Sequence, residues 1–235
     1  MNATVQALSF SSIAWVFVPA AIVVAVLARW TSVAGTAVYA IVRMLAQLLL
    51  IGYVLVFIFD TDKAWIIVCV LTVMLTAASI IAIRPLQNKR PGLVRDAFVA
   101  IFIGGGLTLA LVTQVVIDIE PWFMPRYMVP LAGMVFSGSM NAVSLAAERL
   151  ESELGRSVEY TEARSIAFKA SLIPITNMLF AVGLVSLPGM MTGQILSGVS
   201  PLIAVKYQIV VMCMFFGASG MSASIYLSLA RLRDS

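Results

Sequence analysis

The sequence predicts an all-α, polytopic integral membrane protein of about seven transmembrane helices, with its N-terminus outside and its C-terminus in the cytoplasm. Three observations carry this reading. Hydrophobic residues make up 61% of the 235, charged residues 11%, and mean hydropathy is +1.03, whereas a soluble domain is about a quarter charged. Several apolar runs reach the roughly 20 residues needed to cross a hydrocarbon core of ~30 Å. The basic residues also fall on alternate connections, as the positive-inside bias requires. Residues 1–235 read as a single transmembrane domain, with a helical cytoplasmic loop at about 147–170.

The expected spans are 10–28, 36–58, 64–83, 97–117, 126–146, 171–196 and 204–229. A six-helix version holds if 29–45 lies in the interface and one segment is re-entrant. The first span follows MNATVQALSF, which lacks the basic region of a signal peptide and is therefore expected to be retained. Trp15, Trp30, Trp65 and Trp122 lie near span ends, where aromatic anchors belong. The second span holds Arg43, the one intramembrane charge, with Gln47 one turn later on the same face. Arg43 either snorkels to the interface or acts as an interhelical clamp or part of a transport path.

The third span is bounded by Asp60, Asp62 and Lys63 on one side and Arg84 on the other. The fourth contains Gly104, Gly105 and Gly106, which read as close helix packing because no P-loop Lys follows them. The loop 118-DIEPWFMPRYMVP-130 leads into the fifth span, where Gly133 and Ser137 are spaced for helix packing. The stretch 144–170 differs from its surroundings. It concentrates Glu148, Glu151, Glu153, Glu159 and Glu162 with Arg149, Arg156, Arg164 and Lys169. Leu145, Leu150 and Leu154 suggest an amphipathic helix, Gly155 a helix stop and Thr161 the start of a second helix. It is the expected docking surface for a cytoplasmic partner, through Glu148, Glu151, Glu153, Gly155 and Arg156.

The sixth span contains 182-VGLVSLPGMMTGQILSG-198. Gly189, Gly193 and Ser197 form a stripe of small residues that lets helices approach closely in lipid. Pro188 is expected to break the helix, which lipid tolerates where neighbours or a cavity satisfy the freed backbone. Broken helices often line substrate paths, so Met190, Met191, Gln194 and Gln208 are candidates for one, with Asn177 as a further intramembrane polar group. Gly220 and Ser224 repeat the small-residue spacing in the last span.

One set of connections carries Arg29, Arg84, Lys89, Arg90, Arg95, Arg149, Arg156, Arg164, Lys169, Arg231 and Arg233; the other has only Lys63, Arg126 and Lys206. This bias sets the orientation and is not a nucleic-acid signal. No acid falls within an expected span, and there is no histidine, so the groups that usually couple protons are missing. No G-x-x-x-x-G-K-[ST] is present, so any nucleotide energy would come from another subunit. Met190, Met191, Met212 and Cys213 are soft donors that would suit Cu(I), but Met is also a common filler of apolar gaps. Cys69 and Cys213 lie in apolar runs and read as buried hydrophobes.

The run 182-VGLVSLPGMMTGQILSGVSPLIAVKYQIVVM-212 resembles the signature of the FetB-type iron-export ABC permeases, the uncharacterised protein family 0014, to which plant aluminium-tolerance ABC permeases are similar. The segments 43-RMLAQLLLIGYVLVFIF-59 and 129-VPLAGMVFSGSMNAV-143 resemble the same family, with Gly183, Pro188, Gly189, Gly193 and Ser197 in the signature. The resemblance implies a permease subunit in the cell inner membrane, forming a homodimer beside a cytoplasmic ABC ATP-binding subunit. ATP and Mg would belong to that subunit, with no cofactor bound by this chain and no enzymatic activity of its own. It also implies export of a metal ion such as iron, with a coupling helix in the loop 144–170. Two positions depart from the family: an L-G-A-T-P-like element is poorly kept around Leu154 and Gly155, and Asn177 and Phe180 replace an acid and a Lys. The competing classes are an ATPase-independent channel, a membrane scaffold, and ABC export of a non-metal substrate.

Overall fold

The computed structural model describes residues 9, 13–87 and 92–234, with side chains as far as Ala230. Lys89 and Arg90 of the orientation argument lie outside the described residues. The chain divides into two compact units, one ending at Thr61 and one beginning at Asp62.

The first unit holds α1 (Phe17–Trp30) and α2 (Ala34–Phe59). With 14 residues, α1 is shorter than a simple span. Thr31 ends it, its N–H and hydroxyl both donating to the Leu27 carbonyl at 2.9 and 2.8 Å. Helix α2 is long enough to cross a bilayer, and only 6% of its most apolar window is buried. Its apolar residues cover every face of the helix, the pattern of a helix surrounded by lipid or by other apolar helices. Arg43 is half-buried on α2 and Gln47 is exposed.

The second unit contains α3 (Ala64–Ala82), α4 (Leu93–Leu111), a π-helical turn (Val112–Val116), α5 (Pro125–Gly155), α6 (Tyr160–Ala181), α7 (Gly189–Leu196) and α8 (Pro201–Asp234). Helices α2, α3, α5 and α8, and α4 with its π turn, are the five long and apolar enough to cross a membrane among the described residues. Helix α8 is the hub. It packs most extensively against α4 and α5 and also touches α6 and α7.

Small residues make that packing possible. A Cβ on Gly104 would lie 2.5 Å from the Ser222 backbone nitrogen, and one on Gly138 would lie 2.8 Å from the Phe215 ring. A Cβ on Gly105 would press on Val135 and Ser139, whereas Gly106 faces open space. The Ser139 hydroxyl donates to the Ala218 carbonyl at 3.3 Å, bridging α5 and α8. Close backbones and hydroxyl bridges are how helices associate where lipid removes the usual hydrophobic drive.

The sixth expected span is not one helix. Helix α6 starts at Tyr160, well before residue 171, and ends at Ala181. Residues 182–188 are non-helical, and α7 is a separate helix of 8 residues. Gly183 adopts φ +85 within the break, a backbone only glycine enters readily. Pro188 is the N-cap of α7, with φ −62 and extended ψ. A proline cannot continue α6, but its fixed φ suits the start of a new helix. A Schellman motif closes α7: Gly198 N–H donates to Ile195 O and Val199 N–H to Gln194 O, both at 3.0 Å. Gly198 supplies the left-handed residue this motif needs, with φ +91.

The 144–170 stretch is a helical hairpin, its two helices continuous with the membrane helices on either side. At ~1.5 Å per residue, the 31 residues of α5 reach about 46 Å, well beyond a ~30 Å core. Gly155 ends α5, and α6 begins at Tyr160 after a turn in which Ser157 takes φ 63. The Glu159 carboxylate caps α6, accepting from the Thr161 and Glu162 N–H groups at 2.8 and 3.3 Å. Ala142, Ala146 and Leu150 of α5, Ala163 and Ala167 of α6, and Ala223 and Leu227 of α8 form one buried core there. The Tyr160 hydroxyl donates to the Leu227 carbonyl, tying the hairpin to α8.

Candidate functional site

Two ends of the second unit differ in charge. One, the acidic end, carries Asp118 and Glu120 with Arg126 and Lys206 beside them; the other, the basic end, gathers Arg84, Arg95, Arg149, Arg156 and Arg164 among Asp96, Glu148, Glu151, Glu153, Glu159 and Glu162. The acidic end holds a cavity of about 110 Å³ between α5, α7 and α8. Ile117, Arg126, Tyr127, Pro130, Leu131, Met134, Met190, Tyr207, Val210 and Val211 line it. On α5, Tyr127, Pro130, Leu131 and Met134 fall at i, i+3, i+4 and i+7, one face of a helix. On α8, Tyr207, Val210 and Val211 repeat the first part of that spacing. Met190, in the first turn of α7, is carried into the cavity because the chain turns back after the break at 182–188.

Of the expected path residues, only Met190 lines this cavity. Met191 and Gln194 are half-buried on α7, and Gln208 is 5% exposed on α8. The carbonyl oxygens Gln194 Oε1 and Gln208 Oε1 are buried without a hydrogen-bond partner. Each such orphan costs about 1–3 kcal/mol, so two on adjacent helices mark a region that is not built for stability alone. The sequence reading missed Tyr127, Met134 and Tyr207; their shared helical spacing was the available signal. It also missed the π turn after Leu111, where Thr113 is fully buried and donates to Leu109 O at 2.9 Å, with Gln114 Nε2 donating back to its hydroxyl at 3.1 Å. Such turns are rare and concentrate at functional sites.

The four soft donors do not converge. Met190 lines the cavity, Met212 is buried in α8, and Cys213, the next residue, is exposed. Cys69 is exposed too, so neither cysteine is the buried hydrophobe its apolar run predicts. Among the described residues, no three His, Cys, Asp or Glu side chains form a metal-holding group.

The small-residue stripe also differs from expectation. A Cβ on Gly189 or Gly193 would meet nothing within 4 Å. Ser197 is the C-cap of α7, its hydroxyl donating to Gly193 O at 2.8 Å. The stripe is therefore exposed and unopposed among the described residues; α7 is short, and its glycines do not meet α8. Asn177 is exposed on α6.

The expected docking residues divide by environment. Glu148, Gly155 and Arg156 are exposed. Glu153 is only 4% exposed and pairs with Arg149 at 2.6 Å, with Arg156 at 3.9 Å. Burial beside Arg149 makes Glu153 a structural acid and takes it off the docking surface. Glu151 accepts from the Gln87 N–H at 3.1 Å, bracing the turn after α3. Asp96, expected just outside the fourth span, is buried in the first turn of α4.

A family model described as an uncharacterised protein family, UPF0014, matches residues 10–233. The "Probable iron export permease protein FetB" of Escherichia coli (strain K12) is 34% identical over 215 residues, covering 82% of this chain and 80% of that protein. "Protein ALUMINUM SENSITIVE 3" of Arabidopsis thaliana is 34% identical over 214 residues, covering 83% and 77%. A "UPF0014 membrane protein" of Synechocystis is 36% identical over 185 residues, covering 72% and 71%. No solved structure matches the chain. The match runs through every helix from α1 to α8, and the chain belongs to the uncharacterised protein family UPF0014, a family of multi-pass membrane permeases.

Proposed function

We propose that the chain is the membrane-spanning permease subunit of an ABC transporter that exports a metal ion such as iron. A separate ATP-binding subunit would drive it, in a homodimeric assembly in the cell inner membrane. The basic end would face the cytoplasm, following the positive-inside bias. The observation that carries the reading is the α5–α6 hairpin. It extends a membrane helix beyond the bilayer, ends in an exposed tip at Gly155 and Arg156, and is joined to α8 through an alanine-rich core and the Tyr160–Leu227 hydrogen bond. A push on the tip would move α8, and α8 also forms one wall of the acidic-end cavity. ATP binding and hydrolysis in the partner would thus alternate access to a path beside Met190, Gln194 and Gln208.

The donors such a path would offer are uncharged: the Gln194 and Gln208 amide oxygens and the Met190 thioether. Amide oxygens and thioethers bind cations less strongly than paired carboxylates or imidazoles. The iron export named for the Escherichia coli relative supports the metal assignment. The test is purification of the tagged chain from its native membrane. A P-loop ATPase is expected to co-purify. Transport that persists in cells lacking any such ATPase would sink the ABC reading.

A further inference from the structure

The basic end carries another cavity, of about 360 Å³, toward the far end of α8 from Tyr207 and Met190. Arg164, Ser165 and Phe168 of α6 and Ser224, Leu227 and Ser228 of α8 line it. Arg164 is half-buried and has no ion-pair or hydrogen-bond partner among the described residues. A half-buried guanidinium without a partner gives up hydration and gains nothing for it, although a planar fork of donors suits an oxyanion well. The hydroxyl of Ser165 makes no hydrogen bond among the described residues. Those of Ser224 and Ser228 donate to their own helix, at 2.9 Å to Met221 O and 2.8 Å to Ser224 O, and can rotate to donate elsewhere. Among the described residues, no carboxylate lines the cavity. It therefore presents one cation and three hydroxyls to an anion.

Two further features choose among anions. The floor is apolar, made by Phe168 and the buried Leu227. The cavity also sits where α6 and α8 leave the apolar part of their sequences, next to Lys169, the residue after Phe168. A polar rim over an apolar floor at that level fits a phosphodiester with an acyl chain attached, and basic pockets between transmembrane helices bind such headgroups. We propose that this cavity binds the headgroup of an anionic phospholipid. Arg164 holds the phosphate, Ser165, Ser224 and Ser228 donate to its oxygens, and Phe168 and Leu227 meet the start of the acyl chain. The lipid would brace α6 against α8 at the base of the hairpin.

The experiment uses the full chain in a neutral detergent, without any ATPase, so its outcome is separate from the transporter reading. Thermal unfolding is followed with added phosphatidylglycerol, phosphatidylcholine or inorganic phosphate. Phosphatidylglycerol is expected to raise the midpoint by several degrees, and the other two to leave it unchanged. Arg164→Gln should lose the shift, and Ser228→Leu, which fills the cavity from α8 while sparing the guanidinium, should lose it as well. Lys169→Gln, at an exposed neighbouring cation, should keep it. Equal protection by inorganic phosphate would overturn the lipid assignment. So would a shift retained in both cavity variants, or one lost equally in Lys169→Gln. If Arg164→Gln keeps the shift but loses a co-purifying protein, the cavity serves a protein partner and the proposal is wrong.

Discussion

Two sets of glycines in this chain look alike in sequence, each in an apolar helical segment, and do opposite things. Around Gly104 and Gly138, the α4, α5 and α8 backbones approach so closely that a methyl group would strike Ser222 or Phe215. Along α7, Gly189 and Gly193 face open space. The difference lies in what stands opposite. Helix α8 runs antiparallel to α4 and parallel to α5 and packs closely on both, whereas α7 is a short helix between a break and a Schellman turn. A glycine stripe marks a close approach only if another backbone opposes it. The glycines that matter most around α7 are Gly183 and Gly198, which give the chain left-handed turns.

This contrast can be broken by substitution. Gly104→Val should have the largest effect, because its added atoms meet backbone rather than a movable side chain. Overpacking of this kind costs about 1–3 kcal/mol or more, read as a lowered thermal midpoint in detergent. A neutral result would mean that α4 and α8 are not closely packed. Glu153→Gln comes next, since it leaves Arg149 with a weaker partner in a buried position. Charged hydrogen bonds are worth roughly 1.5–3 kcal/mol, and the same unfolding assay should show a loss in that range. Gly198→Ala should cost about 1–2 kcal/mol, from placing a Cβ in the left-handed region; amide exchange should then rise in α7 before it rises in α8. Gly189→Ala and Gly193→Ala should stay within about 0.5 kcal/mol of the parent chain. A large loss at either would show that something outside this chain packs on the stripe.

Much of the fold was legible in the sequence because lipid imposes simple rules. Length and hydropathy located α2, α3, α4, α5 and α8 to within a few residues, apart from the extensions of α5 and α8 past the apolar core. Gly155 and Pro188 also marked real helix ends, since glycine and proline act through local backbone conformation. Facing was far less legible. A helix that is apolar all round has no polar face to say which side meets protein, so nothing in the sequence separated Gly104 from Gly189. The burial of Glu153 was hidden for a similar reason: its charge suggested solvent, but a partner one turn away lets it sit inside. The π turn at Val112–Val116 has no residue signature in Val-Thr-Gln-Val-Val. Of the candidate path, Met190 and Gln208 were named from sequence; Tyr127, Met134 and Tyr207 became visible only when α5 and α8 were placed side by side.

On the proposed function, this chain moves its substrate only when a separate ATPase engages the α5–α6 hairpin. It is tested most directly by reconstituting the purified chain into vesicles with and without its co-purifying ATPase and following ferrous iron across the membrane. The account predicts transport only with both subunits and ATP, and ATP hydrolysis that rises when iron is added. Iron movement through the chain alone, without ATP, would contradict it.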